Sequence, residues 1–139
     1  MLSWTVTLGW TAFIVYLLLK HGNAPSAPFL ASFFRMDFSR EELREAVGHF
    51  AMFGTLTLLW WSTLIQHYSV RYALLATVMI AVLLGTGTEL GQYFVARSSV
   101  ILDLVANFAG ITVTMLCLQF IVSRQGGLVA ARDSGRYLR

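Results

Sequence analysis

Four apolar stretches of about 20 residues each, broken by short polar segments, take up most of the 139-residue chain. A stretch of that length and hydropathy is what a helix needs to cross a bilayer. The stretches are long and continuous rather than short and alternating, so they read as helices and not as barrel strands. The sequence therefore predicts an all-α protein: a four-helix transmembrane bundle in a single domain, residues 1–139, with spans at about 1–19, 46–65, 72–96 and 100–122. Composition agrees. Apolar residues make up 57% of the chain and charged residues 12%, against about 45–50% and about 25% in soluble domains. Half the usual charge does not cover a soluble surface. The net charge of +3, from 10 Lys+Arg against 7 Asp+Glu, is too small for a polyanion site, so nucleic acid is excluded as a partner and the lipid bilayer is expected. The lone Cys117 lies in an apolar run and offers neither a disulfide nor a cysteine metal site.

The breaks between spans have their own logic. Residues 1–19 contain no charge, and Met1-Leu2-Ser3 lacks the basic start of a signal peptide, so this stretch reads as a retained helix despite the small residues at 24–27. The polar loop 20–45 holds both prolines, Pro25 and Pro28, which block helix there. Ser39-Arg40-Glu41-Glu42 has the form of a capping box, which predicts a short interfacial helix leading into the second span. Gln66-His67-Tyr68-Ser69 and Arg97-Ser98-Ser99 form tight turns. A basic tail, 123–139, follows the fourth span and is expected to be frayed or surface-bound. Alternating spans put both termini on one side. The Lys/Arg count for orientation is a tie: Arg71, Arg124, Arg132, Arg136 and Arg139 on the terminal side, Lys20, Arg35, Arg40, Arg44 and Arg97 on the other. The tail arginines are less matched by acids, which favours cytoplasmic termini.

Ionisable groups inside a span cost about 2.5–3.5 kcal/mol each at the helix centre. Glu89 and Asp103 are therefore the most informative residues, followed by Gln92 and Asn107. Counting from Arg97, Glu89 lies roughly 12 Å deep and Asp103 roughly 9 Å, at 1.5 Å per residue. His49 lies roughly 6 Å past the start of the second span. His49, Glu89, Gln92, Arg97, Asp103 and Asn107 thus fall in the same half of the membrane, from three helices. Glu89 and Gln92 share one helix face, as do Asp103, Asn107, Gly110 and Thr114. Gly85, Gly87, Gly91 and Gly110 are expected to let helix backbones approach, Gly87 and Gly91 forming a GxxxG pair. His49, Glu89 and Asp103 are the candidates for catalytic acid–base work, and Gln92, Arg97 and Asn107 for binding a substrate. His21 and His67, at span ends, are given no role, and no metal or other cofactor is expected: three residues on separate helices have no diagnostic ligand spacing.

Glu89-x-x-Gln92, Arg97 and Asp103-x-x-x-Asn107-x-x-Gly110 together resemble the signature of the VanZ-like membrane proteins, and His49-Phe50 resembles that family's other block. The resemblance covers residues 48–110. The family commonly carries an Asp-Lys pair shortly before the histidine; here the region reads Arg44-Glu45-Ala46-Val47-Gly48, so no role of that pair carries over. The resemblance implies a small multi-pass protein of the bacterial cytoplasmic (inner) membrane, in a family whose founding member is linked to teicoplanin resistance. It supplies no reaction. Two functions fit the residues. One is a half-membrane site that binds or acts on an anionic envelope lipid or peptide, Arg97 holding the anionic group. The other is a non-catalytic accessory or structural subunit of a larger membrane complex, in which other membrane-protein subunits are partners and the polar groups only join helices.

Overall fold

The computed structural model describes residues 2–20, 39–94 and 101–134, with side chains placed for 4–20, 39–92 and 101–124. Four helices make up the described chain: α1 Leu2–Leu19, α2 Arg40–Leu64, α3 Val70–Phe94 and α4 Ile101–Ser134. There is no strand among the described residues. Two of the helices are long and apolar enough to cross a membrane, over Val70–Gln92 in α3 and Ile101–Arg124 in α4. The apolar part of α1 is shorter, Trp4–Leu19. The charged first turn of α2 and its buried His49, Thr57 and Thr63 make it the least hydrophobic of the four.

Local chemistry sets the ends. Ser39 sits in extended backbone and its hydroxyl accepts from the Glu42 amide at 3.2 Å, while the Ser39 amide donates to Glu42 Oε2 at 2.7 Å. That reciprocal cap removes two orphan amides at once. It opens one helix that runs unbroken into the second span, so the residues after Ser39 are the first turns of α2 and not a separate interfacial helix. A further short helix upstream of Ser39 would fall within 21–38, outside the described residues. At the other end, the Ile65 amide bonds Trp61 O at 2.9 Å, and His67 and Tyr68 amides both bond Leu64 O, at 3.0 and 2.9 Å. The chain then reverses into α3. The tail is helical over its first part rather than frayed: α4 continues past Gly126-Gly127 to Ser134. Two glycines cost about 1 kcal/mol each relative to alanine but keep their amides, and the Leu128-Val129-Ala130-Ala131 that follows continues the helix.

Helices α2 and α3 each touch all the others, and the α2–α4 seam is the most extensive. The apolar core joins Ile14 and Leu18 of α1, Phe53, Leu56, Trp61 and Leu64 of α2, Ala73 and Ala81 of α3, and Ile111, Met115 and Leu118 of α4. Trp4 Nε1 donates to His67 Nε2 at 3.1 Å, so the start of α1 lies against the turn that follows α2. This gives His67 a structural partner that its position at a span end did not reveal. Further along that seam Thr7 and Thr63 hydroxyls meet at 2.8 Å, and Trp60 Nε1 donates to Thr11 Oγ1 at 3.2 Å. The end of α1 lies beside the end of α3, where a Cβ on Gly91 would fall 2.5 Å from Leu19 Cδ2. Helices α1 and α2, and α2 and α3, thus run antiparallel, while α1 and α3 run in the same direction, as do α2 and α4.

Beside this apolar core, the exterior is apolar and a set of polar groups is buried. Large apolar side chains face outward on every helix, among them Tyr16, Val47, Leu75, Leu83, Leu90 and Leu116, each at least 60% exposed. The buried set instead includes His49, Glu89, Gln92, Asp103 and Asn107, together with Thr7, Thr57, Thr63, Thr77 and Thr88.

Candidate functional site

The polar cluster is built where α2, α3 and α4 converge. His49 lies on α2 nearly three turns after the Ser39 cap. Glu89 and Gln92 are one turn apart near the end of α3, and Asp103 and Asn107 one turn apart at the start of α4. All five side chains are at most 4% exposed. Asp103 also lies in the first turn of α4, where the helix dipole favours a negative charge.

Asn107 occupies the centre. Its Oδ1 stands 3.0 Å from His49 Nδ1, and its Nδ2 donates to Glu89 Oε1 at 3.2 Å. His49 Nδ1 and Glu89 Oε1 are 3.6 Å apart, near enough for charge attraction but beyond hydrogen-bond length. One amide therefore joins an imidazole on α2 to a carboxyl on α3. The neighbourhood is shaped to allow it. A Cβ on Gly85, one turn before Glu89, would lie 3.4 Å from Phe53 and 3.6 Å from the Cβ of Asn107. Thr88, beside Glu89, spends its hydroxyl on its own helix, at Leu84 O (2.9 Å) and Gly85 O (3.0 Å). Gln92 is different: it is 1% exposed, and among the described residues neither of its amide atoms has a hydrogen-bond partner. Leaving such a group unsatisfied costs about 1–3 kcal/mol, so it stands out in a cluster otherwise joined by hydrogen bonds.

The structure thus brings His49, Glu89 and Asn107 into one bonded group, with Asp103 and Gln92 buried on the same helix ends. Arg97, expected to complete the network between Glu89 and Asp103, lies outside the described residues. Among the described residues no three histidine, cysteine, aspartate or glutamate side chains stand close enough together to hold a metal ion.

The glycine expectation needs correcting. Gly85 and Gly110 do sit at close approaches, but Gly87 has nothing within 4 Å of its Cβ among the described residues, and Gly91 faces Leu19 of α1 rather than the polar cluster. The GxxxG pair is therefore not a seam: Gly87 and Gly91 are on one stripe, but only Gly91 meets a helix. The tight seam is Gly54 of α2 against Gly110 and Thr114 of α4, where a Cβ on Gly54 would lie 3.2 Å from Thr114 Oγ1. Gly54 was missed because a lone glycine in an apolar run does not identify the helix it faces.

If Asp103 shares the field of this cluster, neutralising Glu89 changes what Asp103 experiences. Glu89→Gln and Asp103→Asn are expected to be non-additive by about 0.5–3 kcal/mol, the range for groups in one network. Unfolding midpoints of the two single variants and the double variant in detergent measure this. A double-variant loss equal to the sum of the singles would separate Asp103 from the group. No protein-family model matches the chain, and neither a curated protein nor a solved structure matches it significantly.

Proposed function

We propose that the chain is a four-span, VanZ-like integral protein of the bacterial cytoplasmic membrane, with both termini on the cytoplasmic side. The cluster around His49, Glu89 and Asn107 is its working site, set in the half of the membrane away from the termini. The observation that carries the membrane reading is the placement of polarity along the helices: large apolar side chains face outward on all four, while Glu89, Asp103, Gln92 and Asn107 are buried. Only a third of the apolar window of α3 or α4 is buried, whereas the core helix of a soluble protein is mostly covered. The functional reading follows from cost. Intramembrane ionisable groups are expensive and are commonly kept for function. A buried Gln92 with two unspent hydrogen-bonding atoms is the kind of group a ligand satisfies.

The ligand class is an anionic envelope lipid or peptide. Arg97, between the ends of α3 and α4 in the chain, holds its phosphate or carboxylate, as arginine does bidentately. Gln92 orients it, and His49 with the two acids provides acid–base or polar contacts. The test is complementation. In a strain deleted for this protein, wild type restores the phenotype, and His49→Ala, present in the membrane at the same level, does not.

A second reading has its own observation: His49, Asn107 and Glu89 bond to one another, as groups that only join helices would. Under it the chain is an accessory subunit and its outward apolar faces pack on partner helices. A His49→Ala protein that folds normally and complements fully decides for that reading.

A further inference from the structure

We infer that the groove between the start of α3 and the end of the α4 span holds one anionic phospholipid, its phosphate on Arg71 and an acyl chain along Leu74, Leu75, Val78 and Met115. The inference rests on the membrane reading above, but not on the cluster around His49. Arg71 and Glu89 are 18 residues apart on α3, roughly 27 Å at 1.5 Å per residue. The groove therefore lies in the other half of the bilayer, the one that holds the termini.

Arg71, Leu74, Leu75 and Val78 of α3 face Met115 and Gln119 of α4 across a space of about 350 Å³. Charge is the first argument for the occupant. None of these six residues is acidic, and Arg71 is exposed with no acidic partner among the described residues. It is the second residue of α3, and in the chain it stands between Tyr68 and Tyr72, whose exposed rings have centroids 4.9 Å apart. Exposed tyrosines at the end of an apolar helix mark the headgroup level of a membrane. A guanidinium there binds a phosphodiester through parallel N–H bonds. Arg124 differs, because its guanidinium lies over the Phe120 ring at 4.6 Å and outside the groove.

Size and polarity are the second argument. A single turn of helix, about 10 Å across and about 5.4 Å in pitch, takes up roughly 420 Å³. The groove is smaller, so it takes an acyl chain rather than a partner helix. Between Arg71 and Met115 its walls are apolar except at Gln119, which faces outward within the apolar span Ile101–Arg124. An amide facing hydrocarbon without a partner is costly. A phospholipid supplies the acceptor: its ester carbonyls, one glycerol below the phosphate, accept from Gln119 Nε2, and the chain continues past Val78.

The test is native mass spectrometry of the full chain. The protein is taken from alkaline-washed membranes into mild detergent and offered equal amounts of phosphatidylglycerol and phosphatidylcholine with the same acyl chains. Both carry the phosphodiester, but phosphatidylcholine also brings a cation toward Arg71. The expected wild-type spectrum shows one bound lipid, phosphatidylglycerol exceeding phosphatidylcholine by about fivefold, the weight of one basic residue against an anionic surface. In Arg71→Gln the ratio is expected to fall toward parity, and in Arg124→Gln to stay as in wild type. Val78→Trp, which fills the groove, is expected to lower bound phosphatidylglycerol as far as Arg71→Gln does. If that variant does not accumulate, the two arginine variants decide. Equal binding of the two lipids by wild type, or a preference that survives Arg71→Gln, would overturn the inference. A wild-type dimer that Val78→Trp splits would overturn it too, because a second copy would then fill the groove. A chain released by the alkaline wash overturns the membrane reading and this inference with it. A chain that stays in the membrane yet shows no lipid preference overturns this inference alone.

Discussion

Replacing Gly110 with alanine is expected to force α2 and α4 apart, and with leucine to prevent the bundle from assembling. A Cβ at this position meets the carbonyl oxygen of Phe50, lies 3.1 Å from its carbon and 3.2 Å from the Gly54 amide nitrogen. These are backbone atoms in the middle of α2. They cannot swing away as the end of a side chain can, so relief requires moving a helix. Overpacking of this kind costs about 1–3 kcal/mol, occasionally more, and here it acts on the most extensive seam of the fold. It also displaces Asn107, one turn earlier on the same face. Gly87→Ala is the control, since nothing lies within 4 Å of its Cβ; it should stay within about 0.5 kcal/mol of wild type. Thermal unfolding of the purified protein in mild detergent compares the two. A Gly110→Ala protein as stable as Gly87→Ala would mean that the backbones are not in contact there.

Replacing Asn107 with leucine is expected to cost nearly as much, for a different reason. The side chain is fully buried and serves two partners on two other helices. Removing it leaves an imidazole and a carboxyl facing each other across 3.6 Å with their bridge gone. Each buried group left unsatisfied costs about 1–3 kcal/mol, more for a charged one. The triple variant His49→Leu, Glu89→Leu, Asn107→Leu should recover much of the stability, because exchanging a whole buried polar group for apolar side chains is often neutral or better. It should not recover complementation of the deletion strain. Stability regained together with full complementation would reduce the cluster to a device for joining helices.

Much of the architecture was legible in the residues. The helix start at Arg40 follows from the Ser39–Glu42 pair, which is local chemistry and needs no tertiary context. The extents of the apolar helices α3 and α4 follow from hydropathy, and the reversal between α2 and α3 from the polar turn at 66–69. That His49, Glu89, Gln92, Asp103 and Asn107 gather at one end follows from depth, which is a count of residues at 1.5 Å each, and from the alternation of direction that short turns impose.

What the sequence alone determined, then, is which residues lie at which height in the bundle, because height is a property of a single helix and its ends. Which side chains touch was decided only by the tertiary structure. Contact depends on how each helix is rotated about its own axis, and that rotation is set by the partner surfaces. A stripe of small or polar residues states a face without naming what it meets. Hence Gly87 shares a stripe with Gly91 yet has nothing within 4 Å among the described residues, while Gly54 finds Gly110. Hence Asn107, which the spacing makes one polar residue among several, joins α2 to α3 through α4: at the same height as His49 and Glu89, its amide offers an acceptor to one and a donor to the other.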